Sequence, residues 1–393
     1  MNPYLILIFF SALVLCAFVW DHFGRRLKVP TVLFLLGTGL GLKALANYAG
    51  LDDSFVNDSL PIIGSIGLIL IVLEGSMELE ITADKRKIIH RSLWAAGLLL
   101  IFNSLILALG FSFFTEQSFR ICLINAVPLA IISSAIAIPS AARLPASERE
   151  FVIYESSFSD VLGVMLFSLL IETDSFTPLV LVEVSGKIIA VLIIALVSIV
   201  LLAFFMDKVV TRVRHLPVIA ALIMIYAIGG LLHLPALLII LAFGLYASNL
   251  HHPWLARVME RVHSSRLKEE MHQLHHLTAE VAFFVRTVFF VFLGFSVELS
   301  DLSVGAPWAW AGACLLVLVL LRVICLKGLM KREPMHSLPY LMPRGLITIL
   351  LFLKIPDALQ LKVLPPGMTL LIVFLSVLWM TAGLWRERKI EAD

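Results

Sequence analysis

The sequence predicts an all-α polytopic membrane protein with thirteen transmembrane helices. Three observations predict it. Of 393 residues, 60% are hydrophobic and only 15% charged, with a mean hydropathy of +0.99; soluble domains carry about 25% charged residues. The apolar residues come in blocks of about 20, the length that crosses a hydrocarbon core about 30 Å thick. The loops between blocks alternate in charge. Lipid cannot satisfy open backbone groups, and the blocks lack the strict alternation of barrel strands, so the spans are helices.

Spans are predicted at 3–21, 30–48, 60–79, 92–114, 119–142, 150–171, 179–206, 215–232, 235–250, 278–297, 306–328, 337–355 and 366–385. The first lacks the basic lead of a signal peptide and is expected to be retained. The third carries Glu74, the sixth Glu155 and Asp160, the tenth Arg286, the eleventh Arg322 and the twelfth Arg344 and Lys354. No further domain is expected after the thirteenth. Cys16, Cys122, Cys314 and Cys325 all lie inside apolar blocks without metal-ligand spacing, and read as small core residues.

The loops test the count. Basic ones hold Arg25-Arg26-Lys28, Lys85-Arg86-Lys87 with Arg91, Arg143 with Arg149, Lys208 with Arg212 and Arg214, the 251–277 loop, Lys331-Arg332, and Arg386 with Arg388-Lys389. The intervening loops hold Asp52-Asp53 with Asp58, Glu116, Glu172 with Asp174, Glu298 with Asp301, and Asp357. A missed span would invert the pattern beyond it. By the positive-inside rule the N-terminus lies outside and the C-terminus in the cytoplasm. An inner cell membrane is the expected location.

The 251–277 loop contains six histidines. Leu255, Val258, Met259 and Val262 recur at helical spacing, which predicts an amphipathic helix on the inner surface. His272, His275 and His276 have a spacing that suits a metal, but a solvated surface helix explains them more simply.

The chemistry lies in the intramembrane charges, which are costly and mark ion or proton pathways. Asp160 sits about 15 Å into its span, close to mid-membrane. Glu155 enters about half as deep, and Arg322 reaches a similar depth from its own span. These two are predicted to pair, leaving Asp160 to titrate; the alternative is that Arg322 snorkels to the interface. Glu74 and Arg286 both lie near the inner surface. They serve access or gating, or neutralise each other, with Arg286 favoured as structural. Lys354, near the outer end of its span, is expected to snorkel.

Two spans look broken. Ser133-Ser134 and Pro139 interrupt the fifth, and Pro343-Arg344-Gly345 the twelfth. Discontinuous helices present backbone carbonyls and helix ends to ions near the midplane.

Several stretches resemble the monovalent cation:proton antiporter superfamily, which includes sodium/proton exchangers and potassium-efflux antiporters. They are Pro30-Thr-Val-Leu-Phe-Leu-Leu-Gly, Ile66-Gly-Leu-Ile-Leu-Ile-Val-Leu-Glu74-Gly, Glu155-Ser-Ser-Phe-Ser-Asp160, Phe289-Phe-Val-Phe-Leu-Gly294, Leu321-Arg322-Val and Pro343-Arg344-Gly-Leu. The similarity runs along nearly the whole chain. It implies inverted repeats with two discontinuous crossing helices. Residues 92–171 and 306–385 would form a transport core, 1–79 and 215–297 a dimerisation part, 179–206 a linking helix and 251–277 a cytoplasmic amphipathic loop. Asp160 would bind the monovalent cation or proton, with Ser159, Ser133 and Ser134 beside it, and Glu155–Arg322 would be the core ion pair. Arg344 would serve gating or support alongside Glu74 and Arg286. Two departures stand out: Ser159 replaces the motif's Asn or Asp, and Ser133-Ser134 lacks the acid of the fifth span.

Removing a carboxylate from water favours its neutral form, so proton and cation compete for Asp160. The expected activity is exchange of Na⁺ or K⁺ for H⁺ by alternating access, electroneutral because one acid serves both ions, in a homodimer with a role in pH homeostasis. A channel-like conductance, or a non-transporting sensor or assembly subunit, are the alternatives. No nucleophile–base pair, phosphate loop or cofactor motif points to an enzyme, a cofactor or nucleic-acid binding.

Overall fold

A computed structural model describes residues 3–27, 29–49, 54–79, 81–82, 84–142, 144–172, 178–208, 215–232, 234, 236–249, 265–296, 306–329, 337–361, 363–364 and 366–390. The described residues form α-helices and one short 3-10 turn, with no strand among them. In chain order the first helices are α1 (Pro3–Leu27), α2 (Thr31–Ala49), α3 (Ser54–Met77), α4 (Arg86–Thr115), α5 (Phe119–Ala130), α6 (Ser134–Ala141) and α7 (Ala146–Glu172). They are followed by α8 (Pro178–Lys208), α9 (His215–Leu231), α10 (Leu237–Ser248), α11 (Ser265–Phe295), α12 (Ala306–Leu329), α13 (Leu346–Leu353) and α14 (Pro366–Ile390). Eight of the described helical segments are long and apolar enough to cross a membrane, and four shorter apolar ones join them.

The helices sort into two groups by what they touch. α2 and α3 pack on α11, and α3 also on α10. Gly39 and Gly294 make the α2–α11 contact possible. A Cβ on Gly39 would collide with the Val291 carbonyl, and one on Gly294 with the Leu36 carbonyl. Small residues let transmembrane backbones approach in this way. The second group joins α4, α5 and α7, with α6 on α7 and α12 on both α4 and α14. Between the groups, α13 touches α3 on one side and α5 on the other.

Both predicted breaks are present. The fifth span stops helical bonding at Ile131–Ser133, where the chain is extended, and resumes as α6. The break ends at Ser133, the extended residue before α6, and not at Pro139, which sits inside α6. Proline has no N–H for the carbonyl four residues earlier. That carbonyl, on Ala135, accepts instead from Arg286 Nη1 at 3.3 Å. The twelfth span is half helix: residues 337–340 form a turn, 341–345 have no regular structure, and only α13 is helical. Pro343 disfavours helix at the residue before it. The two non-helical segments meet where Ser133 N–H donates to the Pro343 carbonyl at 2.9 Å.

The long histidine-containing loop is shorter than expected, because residues from Ser265 onward already belong to α11. The amphipathic pattern at Leu255, Val258, Met259 and Val262 lies outside the described residues.

Candidate functional site

The site forms where α7 passes the crossing of the two broken spans. Asp160 is buried on α7, with 2% of its surface exposed. Its Oδ2 accepts from the Ser134 backbone N–H at 3.3 Å and from the Ser134 hydroxyl. Ser134 is the first residue of α6, so the carboxylate faces the positive end of that half-helix. Asp160 Oδ1 has no hydrogen-bond partner among the described residues. A buried acceptor left open in this way is costly unless something else fills it.

The neighbouring serines divide the work. Ser159 Oγ accepts from Ile132 N–H at 3.0 Å, replacing a bond the interrupted helix has lost. Ser133 is buried and its Oγ is unpartnered among the described residues. Ser157, three residues before Asp160 and so on the same helix face, also buries an unpartnered hydroxyl. Opposite Ser133 stands Gly345, where a Cβ would come within 2.7 Å of the Ser133 hydroxyl and of Ile136 Cδ1. The crossing therefore closes only around glycine.

Glu155 and Arg322 lie side by side, each side chain 1% exposed. The guanidinium donates to both carboxylate oxygens, at 2.8 and 2.9 Å. Its Nε donates to the Leu338 carbonyl at 2.7 Å, tying the pair to the turn that leads into the crossing. Arg322 therefore does not snorkel. Arg344 is also buried; its backbone N–H donates to Ser376 Oγ at 2.9 Å, and Nη1 to the Met342 carbonyl at 3.3 Å. Its Nε has no partner among the described residues.

Glu74 and Arg286 neutralise each other, Oε2 to Nη2 at 2.7 Å. They line a cavity of about 330 Å³ together with Glu78, Arg149 and Ser134. Through Ser134 the cavity reaches the residue that holds Asp160. Its outer lining belongs to the ends of α3, α6 and α7, on the face of the Lys- and Arg-rich loops. Glu78 and Arg149 were visible as charges in the sequence, Glu78 one turn beyond Glu74, yet nothing there shows that they share a cavity. Lys354 is exposed at the end of α13, and its Nζ donates to Tyr226 Oη at 3.1 Å and lies 5.7 Å from the ring centre. Tyr226 carries no sequence signal of its own.

A family model described as "Sodium/hydrogen exchanger, transmembrane" matches residues 9–385. No curated protein sequence matches the chain. Among solved structures, that of the sodium proton antiporter MjNhaP1 from Methanocaldococcus jannaschii at pH 8 is similar in fold. The TM-score is 0.71 at 17% identity, covering 97% of each chain. An electron-microscopy structure of the same antiporter gives a TM-score of 0.70 at 17% identity, covering 97% of this chain and 95% of that one.

Proposed function

The chain belongs to the sodium/hydrogen exchanger family, and from that premise we propose that it exchanges a monovalent cation, Na⁺ or K⁺, for H⁺ at Asp160. The observation that carries the reading is the open Oδ1 of a buried carboxylate, set between two interrupted helices. A cation bound there takes one carboxylate charge and neighbouring oxygens, for which Ser133 Oγ and Ser157 Oγ are free. A proton neutralises the same charge. Only a loaded, neutral site then crosses the low-dielectric barrier, which couples the two fluxes. Unloaded Asp160 would be an uncompensated charge in transit.

Electroneutral exchange follows from the charge inventory. Glu155 is held by Arg322 and Glu74 by Arg286, and Ser133-Ser134 supply hydroxyls where a second acid would sit. One acid binds one cation or one proton. Rocking of the α4–α7 and α12–α14 core against the other helices would alternate access. The cavity beneath Ser134 supports a cytoplasm-facing state, given the charge-based orientation with the N-terminus outside in an inner cell membrane. A homodimer built on residues 1–79 and 215–297, and a role in pH homeostasis, complete the proposal.

Proteoliposomes test it. Wild-type protein should move protons when Na⁺ or K⁺ gradients are imposed in turn, at a rate insensitive to membrane potential. Asp160→Asn and Asp160→Ala should abolish the flux while the protein stays folded. Exchange at the wild-type rate in either variant sinks the assignment. Current persisting without a proton gradient favours a conductance, and neither flux nor cation-dependent stabilisation favours a non-transporting subunit.

A further inference from the structure

α11, with 31 residues, is longer than the about 20 that cross a hydrocarbon core, and its N-terminal turns carry three histidines that the exchange site does not use. His272 and His276 lie one helical turn apart on an exposed face. Their Nε2 atoms stand 3.3 Å apart, with the ring planes inclined at 74°. Two nitrogens on one tetrahedral ion, each about 2.0–2.1 Å from it, are separated by about 3.3–3.4 Å. The pair is therefore already at the bite distance of a chelate. A hydrogen bond between the rings accounts for the same distance but has little to stabilise it in water, which competes for both nitrogens.

We propose that His272 and His276 form a binding site for a divalent transition-metal ion of the Zn²⁺, Co²⁺ or Ni²⁺ type. The class follows from the ligands. Paired neutral imidazoles suit these ions, whereas Na⁺, K⁺ and Mg²⁺ prefer oxygen. His275 points elsewhere on the helix, is half-buried, and has its ring centre 6.2 Å from that of His276. It is not a ligand, so the three-histidine grouping suggested by the spacing reduces to two. No set of three His, Cys or acidic side chains around one point exists among the described residues. Water would complete the coordination, and the affinity would fall well below that of closed structural sites. A bound ion would brace the turn at 272–276 on the same helix that carries Arg286 into the cavity.

The test uses full-length, tag-free protein in detergent, titrated with Co²⁺. The expected result is a saturable visible absorption band of one equivalent, displaced by Zn²⁺. His272→Ala and His276→Ala should each weaken it by at least about tenfold, since groups that merely orient a ligand are worth about that much. His275→Ala should leave it intact. Both ligand variants should keep metal-free exchange unchanged, which certifies their folding. Co²⁺ binding that survives in both variants, or the absence of a saturable site in wild type, overturns the proposal and leaves a plain hydrogen-bonded pair.

Discussion

At the scale of single residues, the buried ion pair shows how a charge is tolerated in this core. All three guanidinium nitrogens of Arg322 are used, two on Glu155 and one on the Leu338 carbonyl. Removing one partner strands the other, so Glu155→Ala or Arg322→Ala should each cost about 3–5 kcal/mol. Thermal unfolding in detergent measures this, and the double swap Glu155→Arg with Arg322→Glu should recover part of the loss. No recovery would count against a structural pair. Asp160 is held differently, by one serine through one oxygen. Ser134→Ala removes the hydroxyl but keeps the backbone N–H, so it should raise the cation KM while exchange persists. Ser134→Ala exchange with unchanged KM would mean that the hydroxyl does not position the carboxylate.

At the scale of elements, the crossing depends on two non-helical segments staying in contact. Gly345→Ala pushes a methyl group into Ser133 and Ile136, and overpacking of this kind costs about 1–3 kcal/mol. A lowered melting temperature together with lost exchange is the expected result; an unperturbed variant would show that the segments separate easily. Lys354 at the end of α13 reaches Tyr226 on α9. This ties α13 to α9, which packs on α3, α10 and α11. Tyr226→Phe keeps the ring but removes the hydroxyl, and should raise the accessibility of that end of α13 to water-soluble thiol reagents at an introduced reporter cysteine. Equal labelling in the variant and its parent would remove the link from any role in closure.

At the scale of the whole molecule, the cavity beside Ser134 is lined by residues at the ends of α3, α6 and α7 that adjoin the basic loops, among them Glu78, Ala142 and Arg149. A cysteine introduced at Ile138, which lines it, should therefore react with a membrane-impermeant maleimide added to inside-out vesicles. It should react much less in right-side-out vesicles, with the parent protein as baseline. The reverse pattern would invert the proposed orientation. Many apolar side chains on α1, α4, α8 and α9 face outward, among them Tyr4, Phe113, Leu201 and Leu231. A membrane protein presents such surface to lipid or to a second copy, and cross-linking within native membranes would separate the two.

The sequence by itself determined the helical class, the places where charge enters the membrane and the two broken spans. These are local properties, set by hydropathy over about 20 residues, by loop charge and by proline and glycine. It also marked Asp160 as the deepest acid, because depth along a helix follows from counting residues. Pairing was legible only as a depth match for Glu155 with Arg322, and as one of several options for Glu74 with Arg286. Tertiary structure alone decided that Ser134 and not Ser159 holds the carboxylate. It kept Pro139 inside α6, where Arg286 takes the Ala135 carbonyl that the proline leaves open. It also gathered Glu78 and Arg149 into one cavity and set Lys354 against Tyr226. These contacts join residues distant in sequence, up to 212 positions for Glu74 and Arg286. Such contacts are fixed by how helices dock, and no local pattern in the chain encodes them.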